Sequence, residues 1–318
     1  MISNCTDVEV KKAAKALKDG HLVAFPTETV YGLGADANNS KAVARIYEVK
    51  ERPTDHPLIV HISSINQISK WAIDIPDYAI TLARKFWPGP MTLILSRSDL
   101  AQDYITGGQD TVGVRIPSHP VALALLSEFE NLGGRGVAAP SANRFGAVSP
   151  TSAEAVNEEL SRVFGSKDLL LGGGICKIGI ESTIVDCTSI LPRVLRPGFV
   201  TNEMIQEVTS LKIDHSRKKN MVRASGLMKS HYSPRAKIEI GSEPLPGDGF
   251  IALETYATPE GVIRLAAPKT IEQYANTLYK AFRTADQNGI LRIKIAMPAG
   301  NGLAAAIRDR IKKAAHKF

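Results

Sequence analysis

The segment "HLVAFPTETVYGLGADA", residues 21–37, contains the pattern around which the predicted fold is organised. Its first five residues form a short apolar run that is typical of a buried strand. A proline, two threonines, a glutamate and a tyrosine follow before the two glycines of a G-x-G. These polar side chains exceed what a simple chain reversal requires, so we predict that residues 26–37 form a binding loop. On this segment alone, a purely structural glycine-rich turn explains the pattern equally well.

Residues 32–37 also match the dinucleotide-binding pattern G-x-G-x-x-A. That fingerprint needs its first glycine directly after the strand, because the backbone there must approach a pyrophosphate closely. Here six residues, 26–31, separate the strand from Gly32. The spacing therefore disfavours a Rossmann site, and the lack of a G-x-x-x-x-G-K-[S/T] sequence argues against a P-loop site.

Helical and strand patterns alternate along the first two thirds of the chain. Thr6 and Glu9 fit a capping box for a helix that ends at Gly20, and Ser40 is the predicted cap of the next helix. Residues 57–62, "PLIVHI", form a nearly unbroken apolar run, as in a strand covered on both faces. Such alternation predicts an α/β sheet. Further strands are predicted at 91–96, 112–117, 136–140, 182–187 and 193–197.

A second α/β domain is predicted beyond residue 236. The stretches "KIEI", "GFIAL", "GVIRLA" and "ILRIKIAM" have strand patterns, and residues 270–288 and 302–318 have helical ones. A chain of 318 residues suits two domains. We therefore divide it into a first domain, 1–208, a linker without periodicity, 209–236, and a second domain, 237–318.

The formal net charge is +7, and the excess is concentrated in the linker region. Residues 211–238 contain eight lysines and arginines and a single acid, Asp214. A field of this sign favours an anionic partner such as a nucleotide or RNA. A solvated basic linker without a partner explains the same charges.

Composition disfavours several classes of protein. A chain with 44% hydrophobic and 22% charged residues is ordinary for a soluble globular protein, and no run approaches the roughly 18 apolar residues of a membrane helix. The start, "MISNCTDVEVKK", lacks the apolar core of a secretory signal. Cys5, Cys176 and Cys187 form no C-x-x-C pair, which disfavours a disulfide framework and a zinc site. We predict a cytoplasmic protein.

Four polar clusters stand where predicted strands begin or end. Lys50 and Arg52 precede the strand at 57–62, and Arg115 lies inside the strand at 112–117. A buried arginine needs an anionic partner, because an unpaired buried charge is strongly unfavourable. The other two clusters are Ser141 with Asn143, in "APSAN", and Ser182 with Thr183, in "GIESTIVD".

Each cluster also has a structural explanation. The two cations near residue 50 can be a solvated helix end, Arg115 can pair with a core carboxylate, and the serines can be caps or turn hydroxyls. His61, within "LIVHI", can be a core histidine. Together, however, clusters at the ends of adjacent strands favour one anion site with hydroxyl recognition, since α/β proteins bind ligands there. The spacing indicates neither a catalytic triad nor a metal site.

Seven motifs, in order, closely resemble those of the YrdC-like L-threonylcarbamoyladenylate synthases. The segment 224–236, "ASGLMKSHYSPRA", resembles the linker of the long, two-domain form. The resemblance is strong over residues 10–200, clear in the linker and weak beyond it. The motifs are "FPTETVYGLGADA", "KERPTDHPLIVHI", "FWPGPMTLIL", "VGVRIPSHP", "APSANRFGAVSPTSAEAV", "GIESTIVDC" and "VLRPG".

The resemblance implies a twisted mixed α/β sheet of YrdC-like type with a concave basic cavity, plus a small C-terminal α/β domain of Rossmann-like type. It implies a nucleotidyltransferase that converts L-threonine, bicarbonate and ATP, with Mg²⁺, into threonylcarbamoyl-AMP and pyrophosphate. The product would serve a downstream tRNA-modifying transferase machinery that makes N6-threonylcarbamoyladenosine. A weak direct contact with tRNA is compatible with the basic linker, and no contact with a membrane is expected.

Carried over motif by motif, the resemblance also implies roles for single residues, with no protein ligand of a metal among them. The catalytic core around the phosphates and the carbamate would be Lys50, Arg52, Ser141 and Asn143. L-Threonine would be held by Thr29, His61, Arg115, Ser182 and the backbone at Ala139. ATP would be held by Arg52, His56, Thr111, Ser141, Ser149, Arg196 and Tyr232.

The linker would fold over the cavity as a lid and exclude water from a labile acyl-adenylate. Two positions depart from the family pattern. The family often has asparagine where this chain has His56, which bears on the ATP contact, and proline where it has Ser225, which bears on the geometry of the lid.

Two other functions remain open from the sequence. A protein with a positively charged concave surface could bind double-stranded RNA or tRNA without catalysing a reaction. The loop at 26–37, however, presents hydroxyls and no row of stacking aromatic rings. A hydrolase of an acyl phosphate or carbamoyl phosphate is the third reading, and it would turn over without threonine.

Overall fold

The computed structural model describes residues 5–216, 222–228 and 231–316. Parts of the predicted basic linker, 217–221 and 229–230, lie outside the described residues. The strands are β1 Val23–Phe25, β2 Gly32–Asp36, β3 Ile59–His61, β4 Ala72–Ile73, β5 Met91–Arg97, β6 Thr111–Arg115, β7 Val137–Ala138, β8 Leu169–Leu170, β9 Thr183–Asp186, β10 Arg193–Arg196, β11 Lys237–Ile240, β12 Gly249–Ile251, β13 Ile263–Ala266 and β14 Arg292–Ile295.

The helices connect these strands, as the alternating pattern predicts. A short 3-10 helix, Ile65–Gln67, directly precedes α3. The α-helices are α1 Asp7–Lys18, α2 Ser40–Lys50, α3 Ile68–Trp71, α4 Asp77–Phe86, α5 Asp103–Thr106, α6 Pro120–Asn131, α7 Ala153–Leu160, α8 Asn202–Thr209, α9 Ile271–Gln287 and α10 Leu303–Ala315.

Strands β1 to β10 form one large mixed sheet. Its order is β10-β9-β5-β6-β3-β7-β2-β1-β8, and β4 pairs with β5 outside this path. Strands β3 and β6 are parallel, whereas β7 is antiparallel to β3 and β5 is antiparallel to β6. Carboxyl ends of neighbouring strands therefore lie at both edges of the sheet, which matters for where the polar clusters meet.

The G-x-G segment is a strand, and the prediction of one long loop over 26–37 is wrong in this part. Residues Gly32–Asp36 pair antiparallel with β1 and, at their end, with β7. A Cβ atom on Gly34 would stand 2.7 Å from the Val137 side chain and 2.9 Å from the Phe25 ring. The glycine therefore allows close packing inside the sheet, and the binding loop is limited to residues 26–31.

Helix ends follow from local side-chain hydrogen bonds. The capping box of Thr6 and Glu9 is present and begins α1, as predicted. The cap of α2 is Asn39 rather than Ser40, because the Asn39 side chain accepts a hydrogen bond from the Ala42 amide and Ser40 is already helical. Both residue types are good caps, so composition alone does not separate them.

The C-terminal part forms a second sheet that is parallel throughout. Its order is β11-β14-β12-β13, and α9 and α10 pack with it around a core of their own that contains Leu278, Phe282 and Ile307. The described residues between α8 and β11 contain neither helix nor strand. Within the described ranges, none of the helices combines the length and apolarity needed to cross a membrane.

Candidate active site

A small cavity lies over the large sheet and gathers most of the predicted site residues. It has a volume of about 50 Å³. Two parts of the linker, Ser225–Gly226 and His231–Tyr232, close it on one side. The predicted residues that line it are Thr29, Arg52, His61, Arg115, Ala139, Ser141, Ser182, Arg196 and Tyr232.

The cavity does not follow a single carboxyl edge of the sheet, so the expectation that strand ends alone assemble the site is wrong in part. His61 and Arg115 end the parallel strands β3 and β6. Ser182 precedes β9, whose amino end reaches the same edge because β9 is antiparallel to β6 through β5. Ala139 lies toward the opposite end of β3, where its amide donates to the Ile59 carbonyl. The site therefore extends across the sheet.

Arg115 is buried and has a carboxylate partner within the protein. Its Nη2 donates to Glu28 Oε1 at 2.6 Å and to Thr29 Oγ1 at 3.0 Å, and its Nε donates to the Gly89 carbonyl at 3.2 Å. The alternative that Arg115 pairs with a core carboxylate is therefore confirmed. Arg115 nevertheless lines the cavity, so the ion pair and a contact with a ligand are compatible.

The Thr27 hydroxyl is the most heavily hydrogen-bonded group of the loop. Thr27 Oγ1 donates to the Val30 carbonyl at 2.6 Å and accepts from the Thr29 and Val30 amides at 3.1 and 3.2 Å. It also contacts the Thr29 hydroxyl at 2.8 Å, and Thr29 Oγ1 accepts from Arg115 Nη2 at 3.0 Å. These bonds hold the Thr29 hydroxyl beside Arg115 at the wall of the cavity.

Lys50 and Asn143 lie behind the segment that carries Ser141, and neither lines the cavity. Lys50 Nζ donates to the Ser141 carbonyl at 2.6 Å and to the Asn143 carbonyl. The Asn143 side chain donates to the Arg144 and Ala147 carbonyls at 2.7 and 2.9 Å. Burial, with the Arg52 charge adding to it, lowers the pKa of the Lys50 ammonium well below its ordinary value. In this conformation both residues shape the backbone around Ser141.

Arg52 and Arg196 face the cavity and also hold the linker. Arg196 donates from Nε and Nη2 to the Ser182 carbonyl, at 3.0 and 2.9 Å, and from Nη1 to the Ser225 carbonyl at 3.1 Å. Arg52 Nη2 donates to Ser225 Oγ at 3.3 Å. Burial lowers the pKa of Arg52 to about 10, so its guanidinium stays cationic at neutral pH. Ser225, one of the two departures from the family pattern, is thus bonded on both its hydroxyl and its carbonyl.

Three predicted ATP residues do not line the cavity. Ser149 is fully buried and donates its hydroxyl proton to Glu181 Oε1 at 2.6 Å. Thr111 borders a separate space of about 10 Å³ next to Ser225. His56 packs edge-on against Phe145, with ring centroids 5.3 Å apart. The described conformation does not bring these three side chains to the cavity.

Two buried histidines are neutral at physiological pH. Burial lowers the pKa of His61 to about 3, and the Arg115 charge adds to the effect. Burial also lowers the pKa of the linker residue His231 to about 3. His231 stands against Tyr232, which has a positive φ of 64° and stacks on Tyr279 of α9 at 5.7 Å. Neither imidazole therefore adds positive charge to the cavity.

Glu181 is the main site residue that the sequence analysis missed as a functional group. It lines the cavity and receives hydrogen bonds from Ser149, Tyr279 and, at 2.8 Å, Arg310 Nε. Burial alone would raise the pKa of this carboxyl, but Arg310 and Arg196 outweigh burial and lower it to about 2. Glu181 could have been recognised from the sequence, because it directly precedes Ser182 in "GIEST". No feature of the sequence distinguishes Arg310, which lies in an ordinary helical pattern.

Comparisons with known proteins agree with this architecture. A family model described as "Telomere recombination" (Sua5_yciO_yrdC) matches residues 15–198, and a model described as "Threonylcarbamoyl-AMP synthase, C-terminal domain" matches residues 200–316. The threonylcarbamoyl-AMP synthase of Pyrococcus abyssi is 39% identical and aligns over 96% of this chain and 94% of its own length. That of Bacillus subtilis is also 39% identical, over 97% of this chain and 93% of its own length.

A solved structure shows the same relationship in three dimensions. The crystal structure of Pyrococcus abyssi Sua5 complexed with L-threonine superposes with a TM-score of 0.87 at 37% identity, over 98% of this chain and 96% of that chain. The chain therefore belongs to the family of threonylcarbamoyl-AMP synthases, in the form that carries both domains.

Proposed function

We propose that this chain catalyses the formation of threonylcarbamoyl-AMP from L-threonine, bicarbonate and ATP, for the N6-threonylcarbamoyladenosine modification of tRNA. The observation that carries the proposal is the convergence of Thr29, Arg115, Ser182, Arg52 and Arg196 on one cavity. Among the described residues, three arginines and one ionised carboxylate, Glu181, line this space. That balance of charge suits an amino acid carboxylate beside a triphosphate. We assign catalysis to residues 1–208 and the basic cavity to the same domain.

The amino acid would bind through a cation and neighbouring hydroxyls. Arg115 can only donate, so it suits the carboxylate of threonine. The Thr29 hydroxyl, which lies beside Arg115, suits a polar group of the same molecule. Ser182 Oγ accepts from Arg196 at 3.1 Å and contacts Thr92 Oγ1 at 2.8 Å, which leaves it able to meet the threonine hydroxyl. Neutral His61 would pack beside this group without competing for the carboxylate.

The chemistry needs positioning and charge stabilisation more than covalent help from the protein. The threonine amine adds to the carbon of bicarbonate or CO₂, forms a C–N bond and yields a carbamate, with loss of water in the case of bicarbonate. A carbamate oxygen then attacks the α-phosphorus, and the bond to the leaving pyrophosphate breaks. Arg52 and Arg196 are the cations placed to stabilise the negative charge that shifts to the phosphates.

The protein contributes no evident cage for Mg²⁺. In the described part of the chain, no group of three or more acidic, histidine or cysteine side chains is arranged to hold a metal ion. Glu181, the carboxylate at the cavity, is already bonded to Ser149, Tyr279 and Arg310. Magnesium commonly binds through substrate phosphates with few protein ligands. We therefore assign Mg²⁺ to the ATP that enters.

The small volume of the cavity supports a linker that moves to admit ATP. Ligand sites for molecules of drug size or larger measure roughly 300–1,000 Å³, whereas this cavity has about 50 Å³. To admit ATP, the two lining parts of the linker, Ser225–Gly226 and His231–Tyr232, would withdraw and return. A closed linker would keep water from the reactive mixed anhydride during the second half of the reaction.

The test is the release of pyrophosphate from ATP, measured with threonine and bicarbonate each omitted in turn. The proposal predicts that either omission abolishes release. Release that persists without threonine would contradict the proposal and would indicate a hydrolase. Salt-sensitive RNA binding without any pyrophosphate release would indicate a binding protein.

A further inference from the structure

Glu28 is a polar residue of the binding loop to which neither the sequence motifs nor the proposed reaction assigns a role. Its residue is only 5% exposed, and its carboxylate does not line the cavity. One oxygen, Oε1, accepts from Arg115 Nη2 at 2.6 Å. The other, Oε2, accepts from the Ser118 amide at 3.0 Å. The carboxylate is thus held from two sides and is not placed to touch a ligand.

These contacts determine which edge of Arg115 is available. A guanidinium is a rigid planar fork, so fixing two of its nitrogens fixes the direction of the third. Nη2 is engaged by Glu28 and Thr29, and Nε by the Gly89 carbonyl. Among the described residues, Nη1 makes no hydrogen bond. The edge that carries Nη1 is therefore the one that a ligand in the cavity can use.

Glu28 also makes the buried cation tolerable before a substrate arrives. Arg115 is 4% exposed, and an uncompensated charge at that depth would be strongly unfavourable. The ion pair supplies the compensation through a residue that does not itself line the cavity. A preorganised donor loses little free energy to reorientation when a ligand binds. The loop "PTET" thus supplies a neutralising carboxylate and an acceptor hydroxyl on adjacent residues.

We propose that Glu28 is a positioning residue for the amino acid substrate. It holds Arg115 so that Nη1 meets the substrate carboxylate, and it acts only through Arg115. A role as the base that deprotonates the threonine amine does not fit, since both carboxylate oxygens accept hydrogen bonds within the protein and Glu28 does not line the cavity. The inference rests on the proposed function, because it takes the ligand of Arg115 to be an amino acid.

The test compares Glu28→Gln with the unmodified protein in two assays. Glutamine keeps the shape but loses the charge, and its amide nitrogen, a donor, must face either the Ser118 amide or Arg115 Nη2, which are also donors. We expect the affinity for L-threonine, measured by calorimetry without ATP, to fall about tenfold or more. In the pyrophosphate assay the KM for threonine should rise by a similar factor, while the KM for ATP should change less than about threefold.

Asp186→Asn is the matched control. Asp186 forms another buried ion pair, with Arg193 at 2.7 Å, and neither side chain lines the cavity. This variant should lose thermal stability to a comparable degree and keep its affinity for threonine. If Glu28→Gln does not fold, Glu28→Asp keeps the charge on a shorter side chain and should show the same selective loss for threonine.

Two results would overturn the inference: normal threonine affinity in Glu28→Gln, or parallel rises of both KM values such as a general loss of stability produces. A different result would contradict the proposed function. If the unmodified protein shows no threonine-dependent release of pyrophosphate, the proposed reaction is wrong, and the role proposed for Glu28 is then wrong as well.

Discussion

Burial determines the charge state of His61, and therefore which side chains can supply positive charge in the cavity. The imidazole is almost entirely enclosed and lies edge-on to Phe25, with ring centroids 6.0 Å apart. Because its pKa is lowered to about 3, the neutral form persists at any physiological pH. A carboxylate in the cavity must therefore find its positive charge on an arginine such as Arg115 and not on His61. Desolvation therefore determines the protonation state of His61, which the motif alone does not indicate.

The same shift predicts how stability depends on pH. In the unfolded chain a histidine has a pKa near 6.5, so between pH 6.5 and about 3 the unfolded state binds a proton that folded His61 does not. His61 therefore lowers stability as the pH falls through this window. We expect His61→Asn to reduce the slope of unfolding free energy against pH by about 1.4 kcal/mol per pH unit between pH 6 and 4.

Chemical denaturation at a series of pH values measures this slope. Above pH 7 neither state binds that proton, so both proteins should show the same pH dependence there, which provides an internal control. Equal slopes below pH 6 would mean that His61 protonates in the folded protein.

At the scale of elements, the linker is fastened to the catalytic domain at defined points. Gln109 Oε1 accepts from the Arg223 amide at 2.6 Å, and Gln109 Nε2 donates to the Arg223 carbonyl at 3.1 Å. The Arg223 guanidinium also donates to the Gly107 carbonyl. Farther along, the Ser233 amide donates to the Gly146 carbonyl at 2.9 Å. The linker is therefore closed by a few polar contacts that can be broken and remade.

We expect Gln109→Leu to favour the open linker. It removes a local hydrogen bond to the Thr106 carbonyl and the two hydrogen bonds to the linker, and these two, at about 0.5–1.5 kcal/mol each, are enough to shift the equilibrium by about tenfold. Limited proteolysis with trypsin should then cleave within 209–236 about tenfold faster than in the unmodified protein. Gln102→Leu, which removes only a contact between Gln102 Nε2 and the Asp99 carbonyl, is the matched control. Equal cleavage rates in all three proteins would show that Gln109 does not hold the linker.

At the scale of the whole molecule, the C-terminal domain forms part of the support of the active site. Arg310 of α10 is fully buried, donates to Glu181 at 2.8 Å and lies over the Tyr232 ring at 5.3 Å. Tyr279 of α9 donates to the same carboxylate at 3.0 Å. Lys313 donates to the Gly226 carbonyl at 2.8 Å. One domain therefore holds both a wall of the cavity and the linker that closes it.

Arg310→Met should affect stability and ATP use together. It leaves Glu181 buried without its main cation, which costs about 3–5 kcal/mol when a buried pair is broken on one side. We expect the KM for ATP to rise as well, because Ser149 and Tyr232 lose their common support. Denaturation curves and pyrophosphate kinetics measure the two effects.

Lys294→Met is the control for this variant. Lys294 is also buried and pairs with Glu239, but both belong to the C-terminal sheet away from the cavity. It should lose stability with little change in the KM for ATP. A similar change of KM in both variants would indicate a general effect of destabilising that domain.

Much of the fold could be predicted from local pattern. The capping box at Thr6, the apolar run at 57–62 and the strands and helices beyond 236 are all present. These features depend on residues near in sequence, whose periodicity reports burial directly. The strand Gly32–Asp36 was missed because its glycines, which indicate a loop locally, are required there by packing against Val137 and Phe25.

The sequence was enough to identify the family, the two-domain organisation and nine of the described residues that line the cavity, because motifs and periodicity depend on short stretches of chain. The three-dimensional fold was needed to show which groups meet. Glu28 pairs with Arg115 across 87 positions, and Glu181 pairs with Arg310 across 129. It also placed Lys50 behind the Ser141 segment instead of in the cavity. Such pairings follow from the strand order of a mixed sheet and from the docking of two domains. Both depend on residues distant in sequence, so local sequence patterns do not predict them.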